Sequence, residues 1–336
     1  MKKKANLFLY SGTFLLVIKT VFSASKIIPY SDFMDTILAA VGAFCMILSI
    51  IMQRYRLKVL LLYAMLIGIT VYNALITRNN ALAATVITCL AIRKTDFKTY
   101  IRYVFRMQSV LVICHTIIAI IGVFDITQNI GGITRYDFGT LHPNSFAALV
   151  FNLIIMGIWL NWHKIKTKHI IYMILGSGIL YCFCKTRTNF IAMLVVIGCV
   201  YVCRVKHKFV RLIGKIATVI IPLLSVAMGT AIILYTTGNG IVLLLNKALN
   251  ARIILGAYAL AHEGLTLFGQ NMTSLYTETT WDPIWKLNAF TFDCIYTYML
   301  INQGIIWLIL LTILFARLAK RKNPKDNVAI IAWALY

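Results

Sequence analysis

The feature that most limits this chain is a succession of long apolar runs from which charge is almost absent. Ten of them read as helices, over residues 7–24, 33–52, 59–76, 79–92, 107–124, 145–160, 170–184, 189–203, 212–236 and 291–316. A bilayer core of about 30 Å takes about 20 apolar residues per helical crossing, and a helix satisfies its own backbone where water is absent. Runs of this kind belong to an all-α, polytopic integral membrane protein. Composition agrees: 60% of the 336 residues are hydrophobic and 13% are charged, where soluble domains carry about 45–50% and about 25%. A soluble enzyme, a disordered chain and a disulfide-stapled secreted domain are excluded. A further run begins at Val328 and stops at Tyr336. The expectation is therefore a fragment with about 10–11 transmembrane helices.

The formal net charge of +23 does not mark a nucleic-acid binder, because the basic residues fall in short clusters between apolar runs with no groove-reading motif. Counted in alternate loops, 24 Lys and Arg lie on one side and 8 on the other, with Lys19 inside the first span. Basic loops stay in the cytoplasm, which predicts a cytoplasmic N-terminus and a cytoplasmic segment 93–106. It also argues for keeping the short span 79–92, without which that segment would lie outside. Lys19 interrupts the first apolar stretch, so residues 1–25 read as an uncleaved anchor rather than a signal peptide. The eight cysteines fall mostly inside spans and lack the second Cys/His pair of a zinc site; they read as reduced packing residues.

Acidic residues show the opposite bias, with Asp125, Asp137, Glu263, Glu278, Asp282 and Asp293 at or beyond the outer surface. The chain thus divides into N-terminal transmembrane helices over 1–124 and a catalytic-type region over 125–336, with outer loops at 125–144 and 237–290. Ordered loops of this length are usually functional. In the second, Ile241–Leu255 and Ala257–Phe268 read as amphipathic helices at the membrane surface, broken at Gly256 and Gly269. Arg135, Arg187 and Arg252 stand at outer membrane ends, against the basic-residue bias. Any one alone could simply snorkel to water. Together they offer planar, permanently charged forks that suit a lipid-linked pyrophosphate. Tyr276, Trp281 and Trp285 are candidates for stacking on sugar rings, or members of an interfacial aromatic belt. His142 precedes Pro143-Asn144 at the start of a span and suits either a cap or a catalytic role.

The ordered set Arg135…Gly139…His142-Pro143-Asn144, Thr186-Arg187-Thr188, Asn246…Asn250-Ala251-Arg252, Leu267-Phe268-Gly269, Asp293-Cys294-Ile295-Tyr296 and Gly304 resembles the bacterial O-antigen polymerase and ligase superfamily. The likeness covers about 135–310. Cys294 departs from it, standing where the family has Asn. The resemblance implies ten to fourteen helices and a metal-independent, cofactor-free glycosyl transfer between polyprenyl-diphosphate-linked oligosaccharides. It places that chemistry at the outer face of the bacterial cell membrane. Its implied partners, besides the bilayer, are a flippase and a chain-length regulator. Ligase members tend to carry His where Asp293 stands, so the expected activity is polymerisation of repeat units into capsule, exopolysaccharide or O-antigen. Within it, Arg187 and Arg252 would grip pyrophosphate, Arg135 would contact lipid phosphate, His142 would help position substrate, and Asp293 would act as general base. The alternatives are a ligase, or a non-enzymatic flippase. The second is disfavoured because the spans are nearly free of charge.

Overall fold

Among the described residues of the computed structural model, eight helices are long and apolar enough to cross a membrane. The described residues are 2–335 except 54, 123, 131, 208, 250, 278–284, 286, 288, 289, 291, 293 and 322. In chain order the α-helices are α1 (Lys2–Phe22), α2 (Asp32–Met52), α3 (Leu57–Thr77), α4 (Ala81–Ala91), α5 (Phe97–Ile121), α6 (Pro143–Leu160), α7 (Thr167–Cys184), α8 (Arg187–Val200), α9 (Val210–Thr236), α10 (Gly240–Ala248), α11 (Arg252–Glu263), α12 (Thr273–Thr277), α13 (Ile295–Tyr298), α14 (Ile305–Ala319) and α15 (Pro324–Leu335). The chain is an all-α, multi-pass membrane protein.

Two of the ten expected spans fall short. The first is α4, whose 11 residues rise about 16 Å, half of a bilayer core. The second, 291–316, is not continuous: α13 passes into a π-helical turn over Met299–Gln303 and stops at Gly304, after which α14 begins. α5 starts ten residues before its expected position. Asp96 caps it by accepting the Thr99 amide at 3.0 Å, and Lys98, Arg102 and Arg106 recur every four residues along one exposed face. These charges hide the first turns of the helix from a hydropathy reading. A two-stranded antiparallel hairpin also interrupts the helices, β1 (Thr127–Ile130) pairing with β2 (Ile133–Tyr136).

The chain forms two compact units, 1–68 with 80–213 and 323–336, and 69–79 with 214–322. In the first, Leu9, Met46, Ile87 and Tyr100 bring α1, α2, α4 and α5 into one apolar cluster. A second cluster joins Val21, Val112, Phe146 and Cys184 beneath the hairpin residue Phe138.

The second unit is built around α11, whose Ile253, Leu255, Ala257 and Ala259 are buried with Ile232, Met272 and Ile301. α11 is thus a core helix of its unit, packed on several sides. The expected break at Gly256 is corrected. α10 ends at Ala248 and α11 begins at Arg252, and Gly256 sits inside α11, where a Cβ would come within 2.8 Å of the Ile232 side chain. Its missing side chain permits close packing.

Beside this core, non-helical backbone at 264–270 runs against the broken helix. Ile305 and Ile306 amides donate to Thr266 and Leu267 carbonyls, and Gln270 N donates to Asn302 O at 2.9 Å. Gly269 and Gly304 meet there with φ of +93° and +102°. A Cβ on Gly304 would lie 2.5 Å from Leu267 O, and one on Gly269 would lie 2.7 Å from Gln303 O. Asn73, fully buried on α3, donates its amide to both Phe268 O and Gln303 O. Irregular backbone inside a membrane protein persists only where protein groups satisfy it, and Asn73 supplies that satisfaction.

Candidate functional site

The hairpin end of the first unit carries three of the eight side chains expected from the sequence, Arg135, His142 and Arg187. β1 and β2 are followed by a turn organised by Asp137, which is wholly buried. Its carboxylate holds Lys26 Nζ at 2.7 Å and accepts the Gly139 amide at 2.8 Å. Lys26 N in turn donates to Gly139 O, and Leu141 N to Ala24 O. The hairpin is thereby sewn to the segment that leaves α1. Ser25 Oγ accepts the amides of Ile27 and Ile28 and meets His115 Nε2 at 2.8 Å. No motif or spacing in the sequence joins these residues. Polar residues at the ends of apolar runs were the available signal, but nothing local pairs Lys26 with a residue 111 positions away.

On this frame Arg135 lies in β2, opposite Gln128. Its Nε is buried and has no hydrogen-bond partner among the described residues. The next residue, Tyr136, meets Phe183 edge to face at 5.3 Å, within the last turn of α7. α7 ends at Lys185 in the left-handed conformation, and α8 begins at Arg187. Lys185 and Arg187 are both exposed. The Thr186 side chain does not cap α8, and the Nδ2 of Asn189 in its first turn is buried without a partner among the described residues. An uncapped helix N-terminus favours negative charge, and cations do not ordinarily sit there. Here Arg187 does, with Lys185 two residues before it. The local chemistry is rich in donors and cationic, and its nearby carboxylate, Asp137, is already paired with Lys26.

His142 has a structural task. It is the N-cap of α6, and its Nδ1 accepts the Asn144 amide at 3.1 Å, with Pro143 in the first turn. Of the two readings left open by the sequence, capping is the one the geometry displays.

Arg252 belongs to the second unit and opens α11. Unlike α8, α11 has its first amides satisfied: Asn246 Oδ1 accepts from Ile253 and Ile254 at 3.1 and 3.0 Å. The Asn246…Arg252 pattern is thus a helix-capping device across the break between α10 and α11. Trp285 is half-buried, stacks on Tyr235, and turns an edge to Tyr258, so it packs on the core of its unit. Asp293 and Trp281 lie outside the described residues, as does the side chain of Tyr276. Leu267-Phe268-Gly269 and Gly304, two separated parts of the sequence resemblance, are brought into direct contact. Among the described residues no three His, Cys, Asp or Glu side chains gather as metal ligands. All eight cysteines are free thiols.

Comparisons with protein-family models, with curated proteins and with solved structures found no match for this chain.

Proposed function

We propose that the protein polymerises polyprenyl-diphosphate-linked oligosaccharide repeat units into a surface polysaccharide, with the hairpin end of its first unit facing outward. The observation that carries this reading is Arg135. Its guanidinium Nε is buried without a partner among the described residues, on a hairpin packed against the end of α7, which precedes the arginine-headed α8. A buried unpaired donor on a cation costs free energy unless a ligand completes it. A planar fork suits phosphate oxygens, and so does a helix N-terminus without a side-chain cap.

In the proposed reaction an acceptor hydroxyl attacks the anomeric carbon of the donor. The bond from that carbon to the pyrophosphate oxygen breaks, and the electron pair leaves with the polyprenyl diphosphate. Arg135 and Arg187 stabilise the charge that develops on the leaving group, an effect typically worth several kcal/mol. Asp293 takes the acceptor proton, worth about 10²–10⁴-fold. Arg252 is the further candidate for pyrophosphate, and Tyr276, Trp281 and Trp285 remain those for sugar contact. The flippase and chain-length regulator belong to the same proposal, as does the cell membrane as its location.

The decisive experiment incubates purified protein with a lipid-linked repeat unit. A ladder of products is expected. Transfer to a second, unlike acceptor indicates a ligase, and no reaction at matched protein levels argues for transport. In the same assay Arg135→Lys and Arg187→Lys keep the charge but lose the fork, and their activity should fall well below wild type. Asp293→Asn should fall furthest, and near-normal polymer from it removes Asp293 as the base. Sidedness is tested by labelling single cysteines with an impermeant thiol reagent in intact cells. Reaction at 276–282 and none at 98–102 is the expected pattern.

A further inference from the structure

At the opposite end of the first unit from the hairpin, the last turns of α6, the 3-10 turn Trp162–Lys164 and the start of α7 enclose a groove of about 410 Å³. Its lining is graded. Ile158 and Ile165 are buried, Ile154, Met173 and His169 are half-buried, and Lys164 is exposed at the polar mouth. The apolar wall continues onto the outward face of α7, where Ile171, Ile174 and Leu175 are exposed.

The polar mouth is organised to donate. His169 Nδ1 accepts the Lys166 amide at 3.0 Å. In the neutral ring this places the proton on Nε2, leaving that nitrogen as a donor. Lys164 has no ion-pair partner among the described residues, where the salt bridges are Lys19–Asp35 and Lys26–Asp137. The connecting segment 161–168 adds Lys166 and Lys168 and contains no acid. Arg204 fixes the turn, donating to Trp162 O at 2.8 Å and His163 O at 2.5 Å, and brings a further positive charge. Asp326, an acid on the neighbouring α15, already accepts Trp159 Nε1 at 2.7 Å.

A site with cationic donors at its mouth and an aliphatic wall behind them matches a phosphate that carries acyl chains. We propose that this groove binds an anionic phospholipid, the headgroup phosphate at Lys164 and His169 and one chain along Ile154 and Ile158. A free phosphate would leave the aliphatic wall without use, and a neutral lipid would leave Lys164 uncompensated. Basic pockets between transmembrane helices draw anionic headgroups by this same combination. The site lies apart from the proposed polymerase chemistry and does not depend on it.

Native mass spectrometry of the purified full chain tests the proposal. The probes are palmitoyl-oleoyl phosphatidylglycerol, phosphatidylcholine with the same chains, and sn-glycerol 3-phosphate. Phosphatidylglycerol should be retained as a discrete adduct and phosphatidylcholine should not. Lys164→Ala should weaken phosphatidylglycerol about fivefold, the effect of one basic residue at an anionic surface. Lys168→Ala removes the same charge from outside the groove and should change binding less than twofold. Both lysines are exposed, so neither change threatens the fold. Equal retention of the two lipids overturns the proposal. So does an equal loss from both lysine variants, which means diffuse attraction to a basic surface. Glycerol phosphate binding as tightly as the lipid assigns the groove to a soluble phosphate and also overturns it.

Discussion

Replacing Asp137 with Asn tests whether a buried ion pair holds the hairpin to the helices. Asp137 is fully enclosed, and its partner Lys26 is about a quarter exposed, at 24%. Breaking a buried pair by neutralising one partner typically costs about 3–5 kcal/mol, because the other charge is left uncompensated. Two features place this case near the lower end. An Asn oxygen can still accept the Gly139 amide, now held at 2.8 Å, and Lys26 can draw water through its exposed quarter. A cost of about 3 kcal/mol raises the population of the opened hairpin on the order of a hundredfold. Cys184 reports that opening, since it is fully buried in the cluster against which Phe138 packs. In a protein retaining Cys184 alone, thiol labelling in mild detergent should accelerate by the same hundredfold, provided reclosing outpaces labelling. Adding Lys26→Met to Asp137→Asn removes the stranded charge and should recover part of the protection. Labelling of Asp137→Asn within threefold of wild type would refute the reasoning, as would a double variant more labile than the single.

Three other outcomes follow from local geometry. His142→Asn preserves a capping acceptor for the Asn144 amide and should retain polymer formation, whereas His142→Ala should lose about 1 kcal/mol of stability; collapse of activity in the Asn variant at matched levels would restore a catalytic His142. Asn73→Leu strips Phe268 O and Gln303 O of their shared donor and should cost about 1–3 kcal/mol, read from thermal unfolding in detergent, with an unchanged midpoint counting against the tie. The Thr99 hydroxyl and amide hold the Asp96 carboxyl below its ordinary 3.8. Its support of α5 is therefore complete above pH 3.8 and is lost as pH falls through the lowered value. Hydrogen exchange of the first-turn amides should show that loss in wild type and none in Asp96→Asn.

The spans were the legible part of the fold, because hydropathy sums over many residues and tolerates local error. The second span was expected at 33–52 and is observed at Asp32–Met52. Legibility failed where one residue decides the outcome. Gly256 reads as a helix breaker in sequence, yet its role is set by Ile232 and Thr297 from other elements. The early start of α5 was masked because Lys98, Arg102 and Arg106 lower the local hydropathy while extending from one helical face. In the candidate site, Arg135 and Arg187 were visible because cations at that end oppose the general charge bias. Asp137 was visible only as an outer acid. Its partner is remote in sequence, and no periodicity encodes a pairing over such a distance.

The meeting of Gly269 and Gly304 has a consequence for how this sequence can vary. An oversized core side chain can usually be accommodated by trimming a neighbour. At this crossing the obstacles are main-chain atoms, Asn302 O and Gln303 O facing Gly269 and Gly269 N and Leu267 O facing Gly304, and main-chain atoms cannot be trimmed. A methyl group at either position therefore admits no suppressor among side-chain changes at its contacts; relief would require rerouting the chain itself. Selection for second-site revertants of Gly304→Ala should return the original codon or altered loop length within 264–270, and compensating point substitutions around the crossing should be absent. The two positions form a locked pair in which drift is closed on both sides, while the aliphatic surface around them stays open to exchange.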